Sequence, residues 1–98
     1  MRYDFEWDAR KAGSNIRKHK VSFERAATIF RDPNLLSIPD EKHSDSEERW
    51  ITIGLDEMGN LLVIAHTYKS EDAKSARIRI ISARKAVRNE RNEYEKGV

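Results

Sequence analysis

In the run Arg77-Ile78-Arg79-Ile80-Ile81-Ser82-Ala83-Arg84, arginine alternates with isoleucine at its start. That alternation is the period of a strand, whose side chains point to opposite faces in turn. Arg77 and Arg79 then share one face, and Ile78 and Ile80 the other. A guanidinium is permanently charged and presents a planar fork of donors that matches phosphate oxygens, so two side by side read as a phosphate site. The alternative is an edge strand whose solvent face is rich in arginine. Cleaving a ribonucleic acid backbone without a metal requires a group to take the 2′-hydroxyl proton, a proton for the leaving oxygen, and cations around the phosphorane. The chain carries candidates for each role: His19, His43 and His66; Tyr68 and Tyr94; Arg49, Lys69, Arg77, Arg79 and Arg84. His66 and Tyr68 share a face by the same period of two.

Other chemistries find less support. With no cysteine, disulfides, thiolate metal sites and thiol nucleophiles are excluded. His43-Ser44-Asp45 with Glu47-Glu48 collects metal-ligand types, but the spacing fits no compact zinc pattern, and neither a metal nor another cofactor is expected. There is no glycine-rich phosphate loop and no serine nucleophile motif.

The elements that must position these groups follow from hydropathy and punctuation. Tyr3, Phe5 and Trp7 alternate with Asp4 and Glu6, predicting a strand over 3–7, after which Asp8 fits a helix N-cap. A helix over 9–20 would carry Ala12, Ile16 and His19 on one stripe. Ser22 is a second N-cap, before Phe23, Ala26, Ala27 and Phe30 at i, i+3, i+4 and i+7, and Asp32-Pro33-Asn34 ends that helix. A short strand over 35–38 and a polar loop over 39–48 precede two strands, 49–55 and 61–69, joined at Met58-Gly59-Asn60 as an antiparallel hairpin. Leu61-Leu62-Val63-Ile64-Ala65 is apolar on both faces and belongs in the middle of the sheet. Residues 70–75 read as a charged loop before the Arg/Ile strand, and Ser82 as the cap of a C-terminal helix over 83–95 anchored by Ala86, Val87 and Tyr94. The fold class expected is α+β: an antiparallel sheet of four to five strands with two N-terminal helices and a C-terminal helix.

At 98 residues, 38% apolar and 37% charged, the chain suits one small domain over 1–98 with a densely ionic surface. Its net charge of +2 is unevenly spread. Residues 1–31 hold eight Lys/Arg against four Asp/Glu, residues 32–65 two against eight, and residues 66–98 nine against five. Two basic thirds around an acidic middle suit one basic face able to bind nucleic acid. The N-terminus lacks the long apolar run of a signal peptide or membrane span, so a soluble cytoplasmic protein without membrane contact is expected.

Several separated blocks together resemble the BrnT family of bacterial toxins. They are Phe5-Glu6-Trp7-Asp8; Asn15 with Lys18-His19-Lys20-Val21-Ser22-Phe23-Glu24-Arg25-Ala26; Asp32; His43-Ser44 with Glu47-Glu48-Arg49; and Arg79-Ile80-Ile81-Ser82-Ala83-Arg84-Lys85-Ala86 with Glu90 and Tyr94. The family pattern has Gly where Lys20 stands and Arg where Lys69 stands. The resemblance implies a RelE-like ribonuclease, neutralised by a BrnA-type antitoxin with a ribbon-helix-helix DNA-binding part. It also implies a toxin–antitoxin heterotetramer that reaches operator DNA through the antitoxin, with RNA as substrate. Carried onto this chain, it makes Arg49, Arg77, Arg79 and Arg84 the phosphate clamp and His66 the preferred proton-transfer group, with Tyr68 and Lys69 as alternatives. Lys18, His19 and Lys85 would assist substrate binding, although His19 also reads as a structural group at the negative end of its helix. The competing expectation is a non-catalytic module whose basic face binds a partner protein or nucleic acid.

Overall fold

Asp8 and Ser22 both start helices, each by lending a side-chain oxygen to a backbone N–H that has no partner within the helix. In the computed structural model, which describes residues 1–43 and 48–97, the Asp8 carboxylate accepts from Arg10 N at 2.8 Å and opens α1 (Ala9–His19). Ser22 Oγ accepts from Arg25 N at 3.1 Å and opens α2 (Phe23–Ala27). Helix α1 stops at Lys20, which takes a left-handed conformation with φ 60° and donates its N–H to Ile16 O at 2.9 Å. This conformation suits glycine and strains a residue with a Cβ, which accounts for the Gly in the family pattern. Beyond α2 the chain tightens into a 3-10 turn over Thr28–Arg31. The tightening turns Ile29 fully into the core and leaves Phe30 half-buried, so the buried stripe is Phe23, Ala26 and Ile29.

The strands are β1 (Arg2–Glu6), β2 (Leu36–Pro39), β3 (Arg49–Leu55), β4 (Leu61–Asp72) and β5 (Ser75–Lys85), followed by α3 (Arg88–Lys96). They form one sheet in the order β1-β5-β4-β3-β2. Strands β2 to β5 are an antiparallel meander, as expected, but β1 lies parallel to β5, so the sheet is mixed. A parallel neighbour requires a long crossover, and the chain between β1 and β5 supplies it.

Two element boundaries differ from the sequence expectation. The charged stretch 70–75 is mostly paired strand: β4 and β5 continue to a tight tip at Ala73-Lys74, where Asp72 Oδ1 accepts from Lys74 N at 2.8 Å. The final helix starts at Arg88, since β5 runs on through Ser82 and Ala83 to Lys85. The reason is a tertiary contact. Strand β1 pairs only with Ser75 to Arg79, and past that point the buried Asn15 of α1 takes over the open edge of β5. Its Oδ1 accepts from Ala83 N at 3.1 Å, while its Nδ2 donates to Ala83 O at 2.8 Å and to Val21 O at 2.9 Å. The amide thus imitates a strand neighbour, and Ala83 is held as strand.

The sheet separates two apolar clusters. On the inner face, Leu62, Ile64, Ile78, Ile80 and Ala83 meet Val21, Phe23, Ala26 and Ile29. On the outer face, Ile53, Leu61 and Val63 are covered at one end by Tyr94 of α3. Tyr94 Oη donates to Asp32 Oδ2 at 2.5 Å. Burial, reinforced by that carboxylate, pushes the phenol up to about 12.

Candidate active site

Strand register decides which side chains meet. On the outer face, Arg49 of β3 stands opposite Thr67 of β4, and Thr67 opposite Arg79 of β5. The next rank pairs Lys69 with Arg77. Adjacent strands lie about 4.8 Å apart, so the Arg49 and Arg79 backbones are on the order of 10 Å apart with one small side chain between them. Four of the sequence-derived candidates, Arg49, Arg79, Lys69 and Arg77, are therefore neighbours. The Thr67 between them is 8% exposed.

Carboxylates border this group. On β1, Glu6 is in register with Arg79 and Asp4 with Arg77. Arg77 reaches Glu71 at 3.0 Å and Glu6 at 3.6 Å, and both contacts, Glu71 foremost, raise its already high pKa. At the opposite border Asp40 N donates to Arg49 O at 2.8 Å, which carries the β2–β3 pairing one step past Pro39 and Trp50 and puts Asp40 on the same face as Arg49. The Asp40 carboxylate in turn holds His43 Nδ1, at 3.0 Å from one oxygen and 3.2 Å from the other.

His66 and Tyr68 belong to the other face. They stand opposite Ile80 and Ile78, the isoleucines that point away from the arginines. There, with Tyr3, Phe30 and Trp50, they line an open cavity of about 270 Å³. His66 is 3% exposed and packs edge-on against Phe30, with ring centroids 5.1 Å apart. Its hydrogen bonds fix its tautomer. The Thr67 carbonyl, 3.0 Å from Nδ1, can only accept, so Nδ1 carries the proton; Nε2 then accepts from Thr52 Oγ1 at 2.6 Å, and Ser37 Oγ donates to Thr52 Oγ1 at 2.6 Å. Burial holds the imidazole below its ordinary pKa, against a smaller opposing effect of the Thr67 carbonyl. The structure thus separates the preferred proton-transfer residue from the arginines by the thickness of the sheet, with both ring nitrogens engaged.

The remaining candidates are dispersed. Arg84 grips Glu90 with two bonds of 2.7 Å, and Glu90 also accepts from Val87 N at 2.9 Å, so this pair fastens α3 to the sheet. Arg84 holds the Glu90 carboxyl below its usual range, although burial opposes it. Lys85 is exposed at the end of β5, on the inner-face side with Leu62. Lys18 and His19 are exposed in the last turn of α1, beside Ile81 and Ser82, where the Lys18 ammonium complements the helix terminus. Of the acidic ligand-like cluster, Ser44, Asp45 and Glu47 lie outside the described residues. Among the described residues no three His, Cys, Asp or Glu side chains group as metal ligands. No described helix is long and apolar enough to cross a membrane.

Sequence reasoning named His43 among the candidate histidines but gave no site role to Thr67, Glu6 or Asp40. The signal for Thr67 was present in the parity of β4, where its neighbour His66 must point the other way. For Asp40 no signal existed, because residues 39–48 read as loop and the extra pairing step with Arg49 is not encoded in local pattern.

Comparison with known proteins agrees with this architecture. A crystal structure of the Brucella abortus ribonuclease toxin BrnT superposes with a TM-score of 0.63 at 18% identity, over 90% of this chain and all of that one. A search of curated proteins returns no match. The family model for the ribonuclease toxin BrnT of type II toxin-antitoxin systems matches residues 7–90. With that span covering most of the sequence, the chain belongs to the BrnT family of ribonuclease toxins of type II toxin-antitoxin systems.

Proposed function

We propose that this chain is a metal-independent endoribonuclease of the cytoplasm that binds the RNA phosphate on the outer face of its sheet, between Arg49 and Arg79. The observation that carries the reading is the rank Arg49, Thr67, Arg79 across three adjacent strands. Two permanent cations are held there on a rigid sheet, on either side of a small polar residue. Such preorganised charge stabilises a phosphorane more than it stabilises the ground-state phosphodiester. Lys69 extends the face. Arg77, held by Glu71 and Glu6, joins it by exchanging those carboxylates for phosphate. This reading leaves His66, Tyr68, Arg84, Lys85, Lys18 and His19 out of the reaction and gives them packing and surface roles.

A BrnA-type antitoxin with a ribbon-helix-helix part would inactivate the toxin by covering the outer face, assemble with it as a heterotetramer and carry it to operator DNA. Antitoxin and RNA then compete for the same cations, and antitoxin binding weakens with salt.

The test is cleavage of a messenger or other single-stranded RNA by purified protein in EDTA, with 2′,3′-cyclic or 3′-phosphate ends as products. Arg79→Ala removes a preorganised cation and is expected to raise the activation barrier by about 2 to 4 kcal/mol. Activity that vanishes on chelation and returns with a divalent ion would overturn the mechanism. Wild-type protein that leaves RNA intact and growth unaffected when expressed without its antitoxin would favour a non-catalytic binding module.

A further inference from the structure

We propose that His43, oriented by Asp40, is the catalytic base of this site. The proposal rests on the ribonuclease reading above and supplies the proton-transfer group that His66, on the far face, does not.

Geometry at the β2–β3 edge carries the argument. Asp40 is placed on the outer face by its backbone bond to Arg49 O, so the rank of facing positions runs from Asp40, one residue past β2, through Arg49, Thr67, Arg79 and Glu6 on β3, β4, β5 and β1. The short 3-10 turn Glu41–His43 then folds the histidine back onto the Asp40 carboxylate. A carboxylate can only accept, so His43 Nδ1 carries the proton and donates it to Asp40. In the neutral ring, Nε2 is left with a free lone pair. The Asp40 side chain is 17% exposed and the His43 side chain 62% exposed. The carboxylate is thus sheltered, while the imidazole stands at the solvent edge of the arginine rank, where an RNA strand can reach it. A sheltered carboxylate that fixes the tautomer of an accessible imidazole is the arrangement that makes histidine an efficient base.

In the reaction, Nε2 takes the proton of the ribose 2′-hydroxyl as the O2′–P bond forms. The P–O5′ bond breaks, the departing O5′ takes a proton from water at this open surface, and the hydroxide left behind removes the proton from Nε2 and restores the neutral imidazole. The products are a 2′,3′-cyclic phosphate and a 5′-hydroxyl. Arg49 and Arg79 balance the charge on phosphorus throughout, and no co-reactant is required.

The test uses full-length wild type, His43→Ala, Asp40→Asn and Arg79→Ala with single-stranded RNA in EDTA, at saturating and subsaturating substrate, with and without added imidazole. For His43→Ala the expected result is a loss of kcat of roughly 10²- to 10⁴-fold, an unchanged KM, an unchanged unfolding temperature and partial restoration by imidazole. Asp40→Asn should lower kcat with little change in KM, because it disturbs the tautomer and orientation while leaving the phosphate cations in place. His43→Ala within a few-fold of wild type, or a loss of activity that imidazole does not restore, overturns the proposal. If Arg79→Ala is inactive in that experiment, the ribonuclease reading survives without it. Wild-type protein that cleaves nothing removes both.

Discussion

Replacing Asn15 by Ala should destabilise the fold severely while leaving the chemistry of each folded molecule intact. The amide makes three buried hydrogen bonds, at 2.8, 2.9 and 3.1 Å, to Ala83 O, Val21 O and Ala83 N. Truncation strands one buried N–H and two buried carbonyls at a position only 5% exposed. An orphaned buried polar group costs about 1 to 3 kcal/mol, and a carbonyl, with its second lone pair, falls at the lower end, so the sum is about 3 to 5 kcal/mol. Against a total stability of about 5 to 10 kcal/mol for a chain of this size, that is a large fraction. At about 4 to 8 °C per kcal/mol, the unfolding temperature should fall by roughly 12 to 40 °C. Asn15→Asp keeps the acceptor for Ala83 N but sets carboxylate oxygens against two carbonyls, and should be no milder. The measurements are urea denaturation followed by circular dichroism, and RNA cleavage at a temperature where the variant is still folded. A loss under about 1 kcal/mol would refute the idea that this amide replaces a missing strand neighbour. Normal stability with lost cleavage would mean that Asn15 serves the reaction instead.

Lys20→Gly should relieve the left-handed cap and stabilise the protein by about 1 kcal/mol, read as a rise in the urea midpoint at constant slope; no change or a fall would contradict the strain assigned to φ 60°. Ile80→Ala, on the inner face beside the Arg79 position, should create a cavity and cost about 2 to 5 kcal/mol, whereas Arg79→Ala should hardly move the unfolding temperature. If both variants unfold alike, the face assignment fails. His66 adds a pH dependence: its folded pKa lies below the unfolded value of 6.5, so the unfolded chain binds the extra proton first. The stability it contributes is complete above about pH 6.5 and is lost as pH falls through the folded pKa. Denaturation at pH 7.5 and pH 5 should show this decline, and His66→Gln should flatten it; equal slopes in both proteins would argue against a buried neutral imidazole.

Much of the fold was legible because local pattern and tertiary environment agree over most of the chain. Asp8 and Ser22 cap the helices that their types and positions suggest, Arg49–Leu55 is the strand its alternation implies, and Gly59, with φ 83°, makes the turn that Met58-Gly59-Asn60 marks. The failures share one cause, which is a partner remote in sequence. Ser82-Ala83 has helix-start character, yet Asn15, 68 positions from Ala83, holds it as strand. The parallel placement of β1 is equally remote, since Phe5 meets Ile78. The candidate site was half legible. The period of two sorted Arg77 and Arg79 from Ile78 and Ile80 correctly, and applied across strands it would also have sorted His66 from the arginines, but the sorting requires knowing that His66 stands opposite Ile80. Register shifts between Ala65 and His66 and between Ser70 and Asp72 flank that pairing, so counting inward from either end of the β4–β5 ladder sets His66 opposite Ile81 instead.

The same long-range pairing reshapes the charge pattern. Basic thirds at both ends of the sequence suggested one continuous basic face, but folding pairs them with acids from elsewhere. Arg25 of the first third meets Asp56 of the acidic middle at 2.5 Å, and Arg77 of the last third meets Glu6 of the first. Arg84 is tied to Glu90 within its own third. Lys18 and His19 stand at the end of α1, apart from the Arg49–Arg79 rank. The cationic site is therefore a local product of strand register, bounded at one edge by Glu6 and at the other by Asp40. With a carboxylate at each edge, the proposed site offers cations over the width of one or two phosphates, which suits the binding of a single scissile linkage more than the coating of a surface with nucleic acid.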